Sequence, residues 1–176
     1  MDMLMLSQND DRWAWKKLGT SQESIGDYGC LLTCFTMLSG WDNVEKMNQY
    51  RIDHNAYYNG SYAATFDLLG ATQQCKYIEA SSRYQSVPVA EPEMRKLLNH
   101  LSTGNPVILE VNWNKRFRKW LGWTKYDMHF IVMKPDYKIY DPWPSVGDPR
   151  QECDLTPDYG KTWGEAIVRV IYYDAL

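Results

Sequence analysis

The stretch "SIGDYGCLLTCF", residues 24–35, decides how the chain is built. Its Gly-Asp-Tyr-Gly run reads as a tight turn that delivers the chain straight into Cys30. From Cys30 to about Leu38 the sequence is apolar on nearly every side, the pattern of a central helix buried all round. Ser39-Gly40 is a usual carboxyl-terminal stop for such a helix. A cysteine that only fills core space needs no such bent approach. A thiol at a helix amino terminus beside a histidine cation is different, because its pKa is drawn from about 8.5 to roughly 3.5–7.5. The turn at Gly26 to Gly29 would hold the sulfur at the helix end and leave room for another backbone to come close.

Outward from this helix the pattern divides into two halves. Residues 1–24 read as an irregular lead-in with a short turn of helix around "DRWAWKKL". "WDNVEKMNQY" and "SYAATFDLLGATQQC" are shorter helical candidates, separated by the loop "IDHNAYYNG". "EPEMRKLLNHLSTG" has Pro and acids in its first turn and Gly at its end, so it reads as a helix. Beyond it the signal changes to strands: "NPVILEVNW" (105–113), "MHFIVMK" (128–134), "YKIYDPW" (137–143) and "AIVRVIYY" (166–173). Helices first and strands later predict an α+β domain, a helical half packed on an antiparallel sheet. The 176 residues suit one domain over 1–176, with no repeat, low-complexity tract or linker.

Composition narrows the partners. A net charge of -3 and a pI near 5.6 give no reason to expect nucleic acid. The 8 Trp and 13 Tyr are enough to line a groove or fill gaps between irregular segments. The interleaved basic and aromatic run at 112–123, with Lys115, Arg116, Arg118 and Lys119 among Trp113, Phe117, Trp120 and Trp123, reads as a loop joining two strands and secondarily as a groove wall. Cys30, Cys34, Cys75 and Cys153 show neither a C-x-x-C pair nor metal-ligand spacing, and His54 and His100 lack companions, so no metal is assigned. The four cysteines read as reduced, with Cys75 and Cys153 able to pair if the protein is exported. The amino end carries an acid early and no long apolar run, so it reads as neither a signal peptide nor a membrane span.

The segment "MHFIVMKPDYKIYDPW" reads as a hairpin, with Pro135-Asp136 as its turn. A turn centred on Pro135 sets His129 opposite Asp141, with Cβ atoms about 4.5–5.5 Å apart. A longer turn would shift that register. Asp141-Pro142 also ends the strand and so places a carboxylate at a rim. An imidazole oriented by an acceptor on one ring nitrogen presents the other to a nucleophile. Cys30, His129 and Asp141, in that order, are therefore the candidate catalytic set.

These pieces resemble the papain-like cysteine peptidases, in particular the bacteriocin-processing family (cysteine peptidase family thirty-nine) and its bacterial and phage relatives. The matching residues are "SQNDDRWAWKKLG", "SIGDYGCLLTCFTML", "LSTGNPVILEVNW", "HFIVMKPDYKIYDP" and the tail "DYGKTWGEAIVRVIYY", nearly the whole chain. The resemblance implies a papain-like fold with Cys30 as nucleophile, His129 as general base and acid, and Asp141 as its orienter. It also implies that the amide of Gln8 helps form the oxyanion hole with the Cys30 backbone N–H. Gln8 lies 22 residues before Cys30, farther than in well-known members, and Gln22 is the nearer alternative. The implied activity is hydrolysis of a peptide or a cell-wall peptide, with no metal or organic cofactor. The alternatives are a catalytically idle module that binds peptide or glycan, for example in a phage particle, and acyl transfer by the same triad. The implied location is the cytoplasm as made, with later release or incorporation into a virion if phage-encoded.

Overall fold

A computed structural model describes residues 3–61, 63–72, 74–84, 89–112, 128–156 and 159–176. The elements run α1 (Ile25–Tyr28), α2 (Cys30–Leu38), α3 (Val44–Asp53), β1 (Cys75–Ala80), α4 (Glu91–Ser102), β2 (Val107–Asn112), β3 (Met128–Met133), β4 (Ile139–Tyr140), β5 (Glu152–Cys153), α5 (Trp163–Ala166) and β6 (Ile167–Ala175). The six strands form one antiparallel sheet in the order β1-β6-β2-β3-β4-β5. The chain is thus an α+β protein. Among the described residues no helix is long and apolar enough to cross a membrane.

The sheet separates two cores, because side chains alternate along a strand. Ile108, Phe130, Val132, Ile171 and Tyr173 join a cluster with Leu32, Phe35, Leu38, Val44 and Met47 of α2 and α3. Their neighbours Val107, Leu109, Val111, Ile131, Met133, Val170 and Tyr172 join a second cluster with Leu97 and Leu101 of α4. Helices therefore cover both faces, where the sequence suggested a single helical half against one sheet.

The expected helix at Cys30–Leu38 forms as read, and all of its residues except Leu31 are buried. α3 begins after Asn43, whose side chain accepts from the Lys46 N–H. α4 carries Glu91, Pro92 and Glu93 in its first turn. The lead-in around "DRWAWKKL" makes turns and one isolated bridge, Lys17 with Ser24, rather than a helix, and the Ala14 N–H bonds the Asp10 carbonyl at 2.8 Å.

The described residues of "SYAATFDLLGATQQC" form no helix. The Thr65 N–H bonds the Ala56 carbonyl at 2.9 Å, and the buried Arg51 guanidinium takes the Asp67 and Thr65 carbonyls at 2.9 and 2.5 Å. Leu69 and Gly70 both have positive φ, at 56° and 72°. Carbonyls spent on a buried cation and two left-handed residues leave no helical ladder. Cys75 instead opens β1, which the alternation of "CKYIEA" with its charged positions did not reveal.

None of the four cysteines is in a disulfide. Cys75 and Cys153 lie in β1 and β5, the two edges of the sheet, so an intrachain bridge between them is excluded by distance. The basic and aromatic residues from Trp113 to Trp123 lie outside the described residues.

Candidate active site

The approach to Cys30 is one turn of helix. Ser24 caps α1, its Oγ accepting from the Asp27 N–H. The Ile25 and Gly26 N–H groups donate to the Lys16 and Ala14 carbonyls of the lead-in, both at 2.8 Å. The chain then turns at Gly29, and α2 begins with Cys30 and no side-chain cap. The two glycines serve packing rather than room for a ligand. A Cβ at Gly29 would lie 2.4 Å from the Ile25 carbonyl oxygen, and one at Gly26 would lie 3.0 Å from that of Ala14. Cys30 is only 9 % exposed, at the edge of the core rather than in open solvent.

The second half of the site comes from the sheet. Val132 pairs with Tyr140 and Met133 with Ile139, and the Lys134 N–H closes the hairpin on the Lys138 carbonyl at 2.9 Å. The loop is therefore Pro135-Asp136-Tyr137, with Tyr137 left-handed at φ 69°, a three-residue hairpin closed by an αL residue. The turn centres on Asp136, not Pro135. Continued by one residue, this register sets Asp141 opposite Ile131 and makes it a diagonal neighbour of His129. A displacement of two residues keeps the same face, because strand side chains repeat every second residue. The contact survives the change of register: His129 Nε2 and Asp141 Oδ1 are 2.7 Å apart.

Both groups are buried, His129 to 4 % and Asp141 to 6 % exposure. The Asp141 carboxylate also accepts the Trp143 N–H on Oδ1 at 2.9 Å and the Tyr159 hydroxyl on Oδ2. Burial pushes the Asp141 pKa up, but the imidazolium charge and these three donors outweigh it and hold the carboxyl below its ordinary value. Burial likewise opposes a charged His129. The Asp141 carboxylate and a hydrogen bond with Cys30 outweigh it, and the pKa is raised to about 9. With Nε2 engaged by Asp141, Nδ1 is the ring nitrogen left for the sulfur. One turn into α2, burial first and then the charges of Cys30 and Asp141 hold the Cys34 thiol well above its ordinary pKa.

Gln8 lies where the two halves meet. Its backbone N–H donates to the Pro142 carbonyl at 2.8 Å, and its Nε2 donates to the Gly26 carbonyl at 2.6 Å. Ser7 Oγ bonds the same Pro142 carbonyl, and Asn9 Nδ2 bonds that of Trp143. The lead-in thus ties the thiol-bearing segment to the acid-bearing strand end. Gln22 is exposed and accepts from Lys17 Nζ at 2.9 Å. The structure therefore gathers Cys30, His129, Asp141 and Gln8 and leaves Gln22 outside. Tyr159 escaped the sequence reading, since no spacing marks a residue that returns to the site from 18 positions beyond Asp141.

No protein-family model, no curated protein and no solved structure matches the chain. His54 and His100 are used locally: His54 Nδ1 pairs with the Tyr50 carbonyl, and His100 Nε2 with that of Tyr173.

Proposed function

We propose that the chain is a papain-like cysteine hydrolase of amide bonds, acting on a peptide or a cell-wall peptide. One observation carries the proposal: the 2.7 Å contact between His129 Nε2 and Asp141 Oδ1, on an imidazole whose pKa is also raised by Cys30 at the start of α2. In this reading His129 takes the Cys30 proton, and the sulfur attacks the carbonyl carbon of the substrate. The oxyanion accepts the Cys30 backbone N–H and the second amide hydrogen of Gln8 Nε2. His129 then protonates the leaving amine, and water that it activates cleaves the thioester.

Exposure alone would put Cys153 ahead of Cys30, which makes the test sharp. Cys153 is more open than Cys30, while Cys34 and Cys75 are buried. Treatment with iodoacetamide at pH 6, followed by mass mapping, is expected to modify Cys30 well before the other three. The Cys30→Ala variant should keep the wild-type circular dichroism and lose all cleavage of a quenched-fluorescence peptide library. Cys30 among the slowest thiols, or cleavage surviving the substitution, would end the reading.

A further inference from the structure

We propose that Tyr159 is a positioning residue for the reaction, a fourth member that fixes the plane of Asp141 so that its Oδ1 stays on His129. The inference rests on the cysteine-hydrolase reading and adds to it a residue that no part of that reading requires.

A carboxylate held at one oxygen can still rotate about its Cβ–Cγ bond. Asp141 Oδ1 already accepts from His129 Nε2 and from the Trp143 N–H. The Tyr159 hydroxyl donates to the other oxygen, Oδ2. Bonds on both oxygens remove the rotation, and the imidazole then has one orientation in which to present its Nδ1 side to Cys30. Tyr159 is itself fixed. It is 4 % exposed, its N–H bonds the Leu155 carbonyl at 3.2 Å, and it packs in the cluster that holds Leu155 and Val111. Its ring lies nearly parallel to that of His129, with centroids 6.1 Å apart and planes at 21°. The phenol therefore lies beside the imidazole, nearly parallel to it, while its oxygen holds the carboxylate. Cys30 and Cys34 of α2 also act on the pair: Cys30 raises the His129 pKa, and Cys34 feels the Asp141 charge.

The role is one of orientation, so it must act through Asp141. The test compares wild type, Tyr159→Phe, Asp141→Asn and the double variant. Tyr159→Phe removes a single oxygen and keeps the ring. The readouts are the NMR titration of the His129 ring in isotope-labelled protein and the rate of Cys30 alkylation by iodoacetamide between pH 5 and 10. In Tyr159→Phe the His129 midpoint is expected to fall by roughly half a unit to one unit, and the low-pH rise of Cys30 alkylation to move to higher pH, because a weaker imidazolium supports the thiolate less. In the Asp141→Asn background the same substitution should move neither readout. An unchanged midpoint in Tyr159→Phe, or a shift that persists without the carboxylate, overturns the proposal. A uniform drop in rate with no displacement along the pH axis also overturns it, because that is the mark of a residue that only packs. These results stay separate from failure of the parent reading. A wild-type Cys30 that resists alkylation sinks the hydrolase, whereas a fast Cys30 indifferent to Tyr159→Phe sinks the positioning role alone.

Discussion

Gln8 makes two bonds at once, its backbone to Pro142 and its side chain to Gly26, yet its Oε1 is buried with no partner among the described residues. An unmet buried acceptor costs about 1–3 kcal/mol, so this glutamine is a poor choice for stability alone. Gln8→Leu removes a made bond and an unmet acceptor together, and the expected stability change is about 1 kcal/mol or less in either direction. Turnover of the peptide library should fall by about 10²–10³ if the amide faces the oxyanion, with Cys30 alkylation unchanged. Gln22→Ala should leave stability within about 0.5 kcal/mol and turnover intact. Full activity in Gln8→Leu would move the oxyanion hole elsewhere. His129 gives a second residue-level consequence, with a definite sign. Its folded pKa of about 9 lies above the ordinary 6.5, so the charged ring stabilises the native state fully below pH 6.5, and that stability is lost as pH rises through 9. The amount at stake is on the order of 3 kcal/mol. Asp141, held low, contributes stability that is present above about pH 4 and disappears on acidification. Urea denaturation at pH 6 and pH 9.5 should show the alkaline loss in wild type and a smaller one in His129→Ala. Equal losses would assign the effect to other groups.

The junction of α1 and α2 makes the thiol's position an element-scale property. Gly29 follows a four-residue helix and begins a nine-residue one. With φ -84° it is not there for left-handed backbone. It is there because a Cβ would strike the Ile25 carbonyl oxygen at 2.4 Å and Ile25 Cγ2 at 2.7 Å. Gly29→Ala should cost about 1–3 kcal/mol. It should also slow Cys30 alkylation, since relief of the clash must swing α2 away from α1. Gly26→Ala, whose nearest contact is 3.0 Å, should do less on both counts. The reverse ranking by thermal melting would mean that the junction is free to adjust. Elements of this kind were partly legible. α2 was readable because its apolar run, its glycine approach and its Ser39-Gly40 stop all pointed to one helix. The His129–Asp141 contact was readable despite a misplaced turn centre, because a two-residue displacement preserves the face of a strand. "SYAATFDLLGATQQC" misled because its conformation is dictated by Arg51, a residue from α3 that captures its carbonyls. β1 was hidden for a related reason: it is an edge strand whose pairing with β6 spans most of the chain, and local composition carries little trace of so distant a partner.

At the scale of the molecule, β6 is what makes one unit of two cores. It lies between β1 and β2, and its consecutive residues Tyr172 and Tyr173 enter opposite clusters. Tyr173 reaches the Phe66 carbonyl at 2.7 Å on the side of α2 and α3, while Lys96 of α4 stacks over the Tyr172 ring at 4.5 Å. The site sits where the lead-in, α2 and the β3–β4 end converge, so its geometry depends on both cores holding the sheet in place. Leu38 is fully buried in the first cluster and Leu101 is 1 % exposed in the second. Each truncation to Ala removes a buried branched side chain and is expected to cost about 2–5 kcal/mol. The two side chains have the sheet between them and belong to different clusters, so the double variant should lose the sum within about 0.5 kcal/mol. If β6 couples the cores, every variant will unfold in urea in a single transition with the wild-type dependence on denaturant. Two transitions in Leu101→Ala, with Cys30 reactivity surviving the first, would show instead that the α4 side melts alone. The cysteine, the histidine and the acid would then owe their arrangement to α2, β3 and the lead-in without help from the far face.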